Sequence, residues 1–298
     1  MITNPTQNIK KITGTEFTAL CSLIADASHF SLATLSAQLK NLLIVQPEWN
    51  AYLQSHQELL LTNPNLNKIL NETHWEKIEQ VIIQWAEHPF ELSLEEGLYT
   101  FSYFADATTL KSDISDPLNN MGKELHFLLQ SAETPEEVIK IFNQYIFGEL
   151  GFHGDHNNYY NPDNSYIHKV LATRTGIPIA LASICLLIAK RVHWKGRALP
   201  LVGIGMPLHF ILQFKFESKT IFIDPFNRGK ILTYKNCTDF LKDNTIVFKP
   251  QYLLPVNNHA ILCRTLANLL NIYSNLDDHD RRDQVLKYLN ILKGENEL

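Results

Sequence analysis

His209 and Asp224 are the two side chains of this sequence best suited to moving a proton. His209 stands at the head of a strand-like run, Phe210 to Phe216, and Asp224 ends the next one, Thr220 to Asp224. A carboxylate beside an imidazole fixes which ring nitrogen carries the proton, and the other nitrogen can then act as a general base. The same pair can equally be a fold-stabilising hydrogen bond with no chemistry, and residue types alone leave both roles open.

Two predicted helices come before these strands. Ser165 is expected to cap a helix from Tyr166 to Arg174, with Gly176 closing it, and Pro178 to open a second helix whose apolar run goes from Ile179 to Ala189. After Arg197 the period becomes strand-like, with Leu199, Leu201 and Val202. Gly203, Gly205 and Pro207 then signal close approach of the backbone to a ligand or to the neighbouring helix. Upstream, Gly151 to Ser165 is dense in polar groups: His153, Asp155, His156, Asn157, Asn158, Asp163 and Asn164. His153-x-x-His156 lacks a third ligand at a motif-like spacing, so the expectation is a loop whose Asn and Asp side chains cap turns, with no metal. Tyr159, Tyr160 and Asn164 are placed at the mouth of a cleft.

The order helix start, strand with His, strand with Asp resembles the transglutaminase-like, papain-like core. The closer resemblance is to the bacterial SirB-type branch of that superfamily, carried by Phe152, Gly154, Tyr159-Tyr160, Asn164-Ser165-Tyr166, Arg174-x-Gly176-Ile177-Pro178, Pro207-x-His209-Phe210 and Ile223-Asp224-Pro225-Phe226. It extends over roughly residues 92 to 295. In active members of the superfamily a cysteine nucleophile sits at the amino end of the core helix; the resemblance to the SirB-type branch implies that this cysteine is missing, and in this chain its position is Pro178. It also implies a remnant triad of His209 and Asp224, with Tyr159, Tyr160, Asn164, Tyr166 and Arg174 as binding residues around the cleft. Proline has no nucleophilic atom and no amide hydrogen, so it can neither attack a carbonyl nor stabilise an oxyanion. Removing a triad nucleophile costs on the order of 10⁶ in rate where it has been measured. Cys185 lies roughly 10 Å further along the helix, beyond the reach of a base beside residue 178, among apolar neighbours where thiols are inert. Ser165 reads as a cap and Ser183 as part of the apolar helix.

Composition bounds the rest. The chain has 298 residues, 45% hydrophobic and 19% charged, with a net charge of −5, so it reads as a globular protein with one or two cores and no general attraction to nucleic acid. Four dispersed cysteines with no CxxC pair argue against a disulfide scaffold or zinc ribbon. Met1 to Lys11 shows no signal peptide, and Ile177 to Ala189 is too short to cross a bilayer, so the expected location is the cytoplasm, with no membrane partner.

The amino-terminal part reads as four or five short helices: Phe17, Leu20, Leu23 and Ile24 share one spacing and Leu35, Leu39, Leu42 and Leu43 another, with breaks at Pro47, Asn63-Pro64 and Pro89. Capping boxes are expected at Thr73/Glu76, Ser93/Glu96 and Thr134/Glu137. Near the carboxyl end, Ala260 to Tyr273 and a second helix carrying Val285, Leu286, Leu289 and Leu292 resemble the single tetratricopeptide-like hairpin of SirB-type proteins. The expected fold is therefore α+β and mainly helical, with a transglutaminase-like (papain-like) core helix packed on a small antiparallel sheet. Its expected parts are a helical domain (1–90), the core with its leading helices (91–248) and a closing helix pair (249–298). The expected function is non-catalytic binding or regulation through a protein partner, without a cofactor. The alternatives are a hydrolase or acyl transferase that uses His209 and Asp224 without a cysteine, and a secreted bacterial effector.

Overall fold

The computed structural model describes residues 12–27, 29–46, 48–89 and 91–295. The expectations at Met1–Lys11 and for a break at Pro47 lie outside the described residues. Two compact units make up the chain, Met1–Val81 and Ile82–Leu298.

The first unit is helical: α1 (Gly14–Ala25), α2 (His29–Val45), α3 (Glu48–Ser55), α4 (Gln57–Thr62) and the greater part of α5 (Pro64–Glu87). Thr13 and Glu16 form a reciprocal capping box at the start of α1. Its core gathers Phe17, Ile24, Leu39, Leu43, Leu53 and Leu66, with Phe17 stacked on Trp49 at 4.3 Å. Cys21 takes the inward position between Phe17 and Ile24, and Leu23 is 58% exposed, since i+4 rather than i+6 completes the stripe. The box expected at Thr73/Glu76 does not form. Nothing there breaks the helix, so α5 continues through it, and the Thr73 hydroxyl donates to the Ile69 carbonyl at 2.8 Å.

The second unit continues with α6 (Leu94–Ala105), α7 (Ser112–Leu128) and α8 (Pro135–Asn143), the last followed by a π-helical turn at Gln144–Glu149. At Thr134 the capping box forms in full. At Ser93 the helix starts as expected, but Ser93 makes no capping bond, and Glu96 instead pairs with Lys111. Next come β1 (His153–Gly154), α9 (Ile167–Thr173), β2 (Thr175–Gly176) and α10 (Pro178–Ala189). Apolar all round, α10 is buried except at Leu186, as a helix without a polar face must be.

A small hairpin of β3 (His193–Trp194) and β4 (Arg197–Ala198) leads into an antiparallel sheet: β5 (Leu201–Ile204), β6 (Ile211–Phe216), β7 (Lys219–Asp224) and β8 (Lys230–Leu232), in that order. The register pairs Leu201 with Phe214, Leu212 with Ile223, and Ile223 with Ile231. Helix α10 packs on β5 and β6, giving the α+β arrangement. The chain ends in α11 (Tyr234–Asp243), α12 (Asn258–Asn275) and α13 (His279–Lys293), the last two packed together. No helix of the described residues is long and apolar enough to cross a membrane.

Two local expectations change. Ser165 does not cap α9: Tyr166 occupies the cap position without a side-chain bond, and the buried Ser165 hydroxyl has no partner among the described residues. The preceding 3-10 turn, Pro162–Asn164, sets the entry angle instead. Gly176 does not close α9 either. Arg174 takes the left-handed conformation there (φ +62°), and Gly176 lies in β2, where a Cβ would come within 3.0–3.2 Å of Val170 and the Asn164 carbonyl. Glycine at 176 serves close approach, not a positive φ.

Candidate functional site

The amino end of α10 is fixed from three sides. Parallel pairing of β1 with β2 matches His153 with Thr175 and Gly154 with Gly176, and the Ile177 amide donates to the Asn164 carbonyl at 3.0 Å. The Gly154 amide in turn donates to the Phe226 carbonyl at 3.0 Å, tying this corner to the end of β7. Asp155 organises the loop between: one oxygen accepts the amides of Asn157 (3.0 Å) and Asn158 (2.8 Å), and the other accepts the Asn164 side chain (3.0 Å). These bonds, led by that of Asn158, hold the Asp155 carboxyl below its ordinary pKa.

His209 and Asp224 meet as expected. His209 Nε2 lies 2.9 Å from Asp224 Oδ2, with both side chains largely buried. The expectation that His209 opens a strand is adjusted by two residues, since β6 starts at Ile211 and His209 ends a turn in which Leu208 adopts φ +62°. Asp224 is fully engaged: Oδ1 accepts the amides of Phe226 (3.1 Å) and Asn227 (3.2 Å), and Oδ2 also accepts the Asn227 side chain at 2.7 Å. Burial alone would raise its pKa, but the His209 bond and charge together with Asn227 outweigh it and the carboxyl is shifted down. Nδ1 of His209 has no hydrogen-bond partner among the described residues. The ring packs edge-on to Phe226 and tilted against Phe240.

Both residues line a cleft of about 530 Å³. Its wall includes Pro178, the first residue of α10, so the proline and the dyad face one cavity; His156, Tyr159, Met206 and Phe226 also line it. Of the expected binding residues, Tyr159 reaches the cleft and Tyr160 is exposed outside it, edge-on to Tyr159. Asn164 is buried as a loop organiser. Tyr166 is buried with its hydroxyl 2.5 Å from that of Tyr273, which joins α9 to α12. Arg174 lies over the Phe152 ring at 4.8 Å, away from the cleft lining. The glycines at 203 and 205 face the chain itself: a Cβ would come 2.9 Å from the Phe210 ring at 203 and 3.3 Å from Val256 at 205.

Two contributors escape sequence reasoning. Cys237 of α11 lines the cleft, but it is buried in the cluster with Ile204, Met206 and Leu241. Burial, with the nearby Asp224 charge, pushes its thiol up to about 11, so it stays protonated and poorly nucleophilic. Cys185 is fully buried and shifted upward by burial. Arg264 of α12 donates to the Met206 carbonyl at 2.6 Å, the same oxygen that accepts the His209 amide at 3.2 Å. It thus holds the turn that carries His209, and only its long sequence separation hid it. No group of three His, Cys, Asp or Glu side chains among the described residues could hold a metal ion.

The family model for the transglutaminase-like superfamily matches residues 112–267, which span the whole cleft. The chain belongs to the transglutaminase-like superfamily. Among its relatives are UPF0162 proteins of Xylella fastidiosa strain Temecula1 (34% identity over 155 residues, 49% of this chain and 53% of the relative) and of Vibrio cholerae (31% over 151 residues, 49% and 54%). F-box only protein 21 of Mus musculus is 32% identical over 153 residues, 49% of this chain and 23% of the mouse protein. The chain spans about half the length of the bacterial relatives it matches. No solved structure matches the chain.

Proposed function

We propose that this is a SirB-type transglutaminase-like protein in which the acyl-transfer cleft serves as a non-covalent binding site for a segment of a protein partner. The observation that carries the reading is Pro178 at the helix start in the wall shared with an intact His209–Asp224 pair. The base and its orienting carboxylate remain, whereas the thiol and one oxyanion-binding amide are gone. His209 Nδ1 is left to hydrogen-bond a bound segment, with Tyr159 and Phe226 as aromatic contacts. The pair α12–α13 is on this reading the tetratricopeptide-like hairpin, the helices of residues 1–90 form a separate docking part, and the protein acts in the cytoplasm. Its detection outside the producing cell would instead make it an exported effector.

Restoring the thiol tests the reading. In Pro178→Cys the new thiol gains a helix amino terminus and the His209 imidazole, so it should react with iodoacetamide at pH 6 at least tenfold faster than a free cysteine, and lose that advantage in Pro178→Cys/His209→Ala. Reaction of the introduced thiol no faster than that of a free cysteine would remove residue 178 from the nucleophile position. The second reading, hydrolysis or acyl transfer without a thiol, draws on the depressed carboxyl of Asp224, which can stabilise an imidazolium. Cleavage of casein, or labelled-amine incorporation into it, by the unsubstituted protein that disappears in folded His209→Ala would establish that reading and displace the first.

A further inference from the structure

A second concavity lies apart from the cleft, with Leu232 the one residue lining both. It is a groove of about 1160 Å³ between α8 with its π-helical turn and the β7–β8 end of the sheet. The helix contributes Glu136, Ile139, Lys140, Asn143 and Phe147, residues three and four apart that form one continuous face. The sheet contributes Ile221, Ile231 and, just beyond β8, Tyr234. Ile231 and Tyr234 remain 49% and 55% exposed, so an apolar surface is left facing water.

Charge around this groove runs against the rest of the chain. The protein carries −5, yet the groove is lined by three cations, Lys140, Lys219 and Arg228, and one carboxylate, Glu136. Glu136 is already paired with Lys219. Lys140 and Arg228 have no ion-pair partner among the described residues, and both are exposed. Beside them runs β8, the edge strand, paired on one side only by β7. An edge strand next to an apolar groove recognises extended main chain, and its charged rim selects the side chains.

We infer that this groove docks an extended segment of a partner protein in which acidic residues alternate with large apolar ones. The apolar side chains enter between Ile139, Phe147, Ile231 and Tyr234, and the carboxylates meet Lys140 and Arg228.

The probe is a fluorescein-labelled decapeptide of alternating Glu and Ile, titrated with the full chain by fluorescence anisotropy, beside a peptide with Lys in place of Glu. Saturable binding of the Glu peptide is expected, weakening at least threefold between 50 and 200 mM salt, with no binding of the Lys peptide. Lys140→Glu/Arg228→Glu should raise Kd at least tenfold, and Ile231→Asp, at an exposed position that folding tolerates, should abolish binding while leaving the thermal midpoint within a few degrees. Equal binding of both peptides, or Glu-peptide binding unaffected by these variants, would overturn the inference. So would sedimentation showing dimers of the unliganded chain that Ile231→Asp dissolves, because a second copy would then be the occupant.

Discussion

Replacing Arg264, which does not itself line the cleft, with alanine should loosen the turn that presents His209. The guanidinium makes a 2.6 Å bond to the Met206 carbonyl, lies 5.8 Å from the Phe210 ring and has no carboxylate partner among the described residues. Burial lowers its pKa, with Tyr159 acting in the opposite direction. A hydrogen bond to a charged group contributes about 1.5–3 kcal/mol and an exposed cation–π contact about 0.5–1 kcal/mol. Leu208 in the left-handed region costs about 1 kcal/mol in parent and variant alike, so it makes the turn easier to open without entering the difference. A local loss of about 2–4 kcal/mol corresponds to roughly 30- to 900-fold faster amide exchange at His209, whose amide donates to that same carbonyl. Hydrogen exchange read by mass spectrometry over residues 205–210 measures it. Arg264→Lys should fall between, since an ammonium reaches the carbonyl but lacks the planar stack. Exchange in Arg264→Ala within threefold of the parent would refute the positioning role.

Two further outcomes follow from the same corner. Gly154→Ala would place a Cβ 2.3–2.6 Å from the Phe226 ring, forcing that ring off its contact with His209; about 1–3 kcal/mol of stability should be lost in urea unfolding, and an unchanged midpoint would show that the ring yields freely. The Asp224 carboxyl has its pKa depressed by folding, so its contribution is complete above the unfolded value of about 3.9 and is lost as pH falls through the lower folded value. The stability difference between the parent and Asp224→Asn should therefore shrink below about pH 4, and a gap that widens with acid would contradict the sign.

What the sequence made legible was periodic or carried by single residue types. The all-apolar run of α10 opened by Pro178, the strand runs ending at Phe216 and Asp224, and the box at Thr134 are local signals, and each element lies within two residues of its expected place. Thr73 and Ser165 misled because threonine and serine have several competing bonding options, and burial decides among them. Tyr166 shows the larger limit. A tyrosine next to a loop rich in cleft residues reads as a binding group, yet its hydroxyl is committed to Tyr273, 107 residues away. Arg264 and Cys237 were hidden for the same reason: their relation to His209 exists only once α11 and α12 fold back on the sheet.

The hydrogen bonding of Asp224 does not depend on His209. Without His209 the carboxylate would still accept three hydrogen bonds, from the Phe226 and Asn227 amides and the Asn227 side chain, so the imidazole is not needed to satisfy it. Nor does the ring complete a polar network of its own, because its other nitrogen has no partner among the described residues. The turn delivering it holds Leu208 at φ +62°, 64% exposed, a strained conformation in the cleft wall. The strained turn and the arginine that anchors it leave an imidazole with an Nδ1 lacking a partner among the described residues in the wall of an open cavity, and Cys237, its thiol pushed up to about 11, is a poor nucleophile beside it. The sheet end therefore stays satisfied without the imidazole, and His209→Ala should leave the Asp224 hydrogen bonds in place.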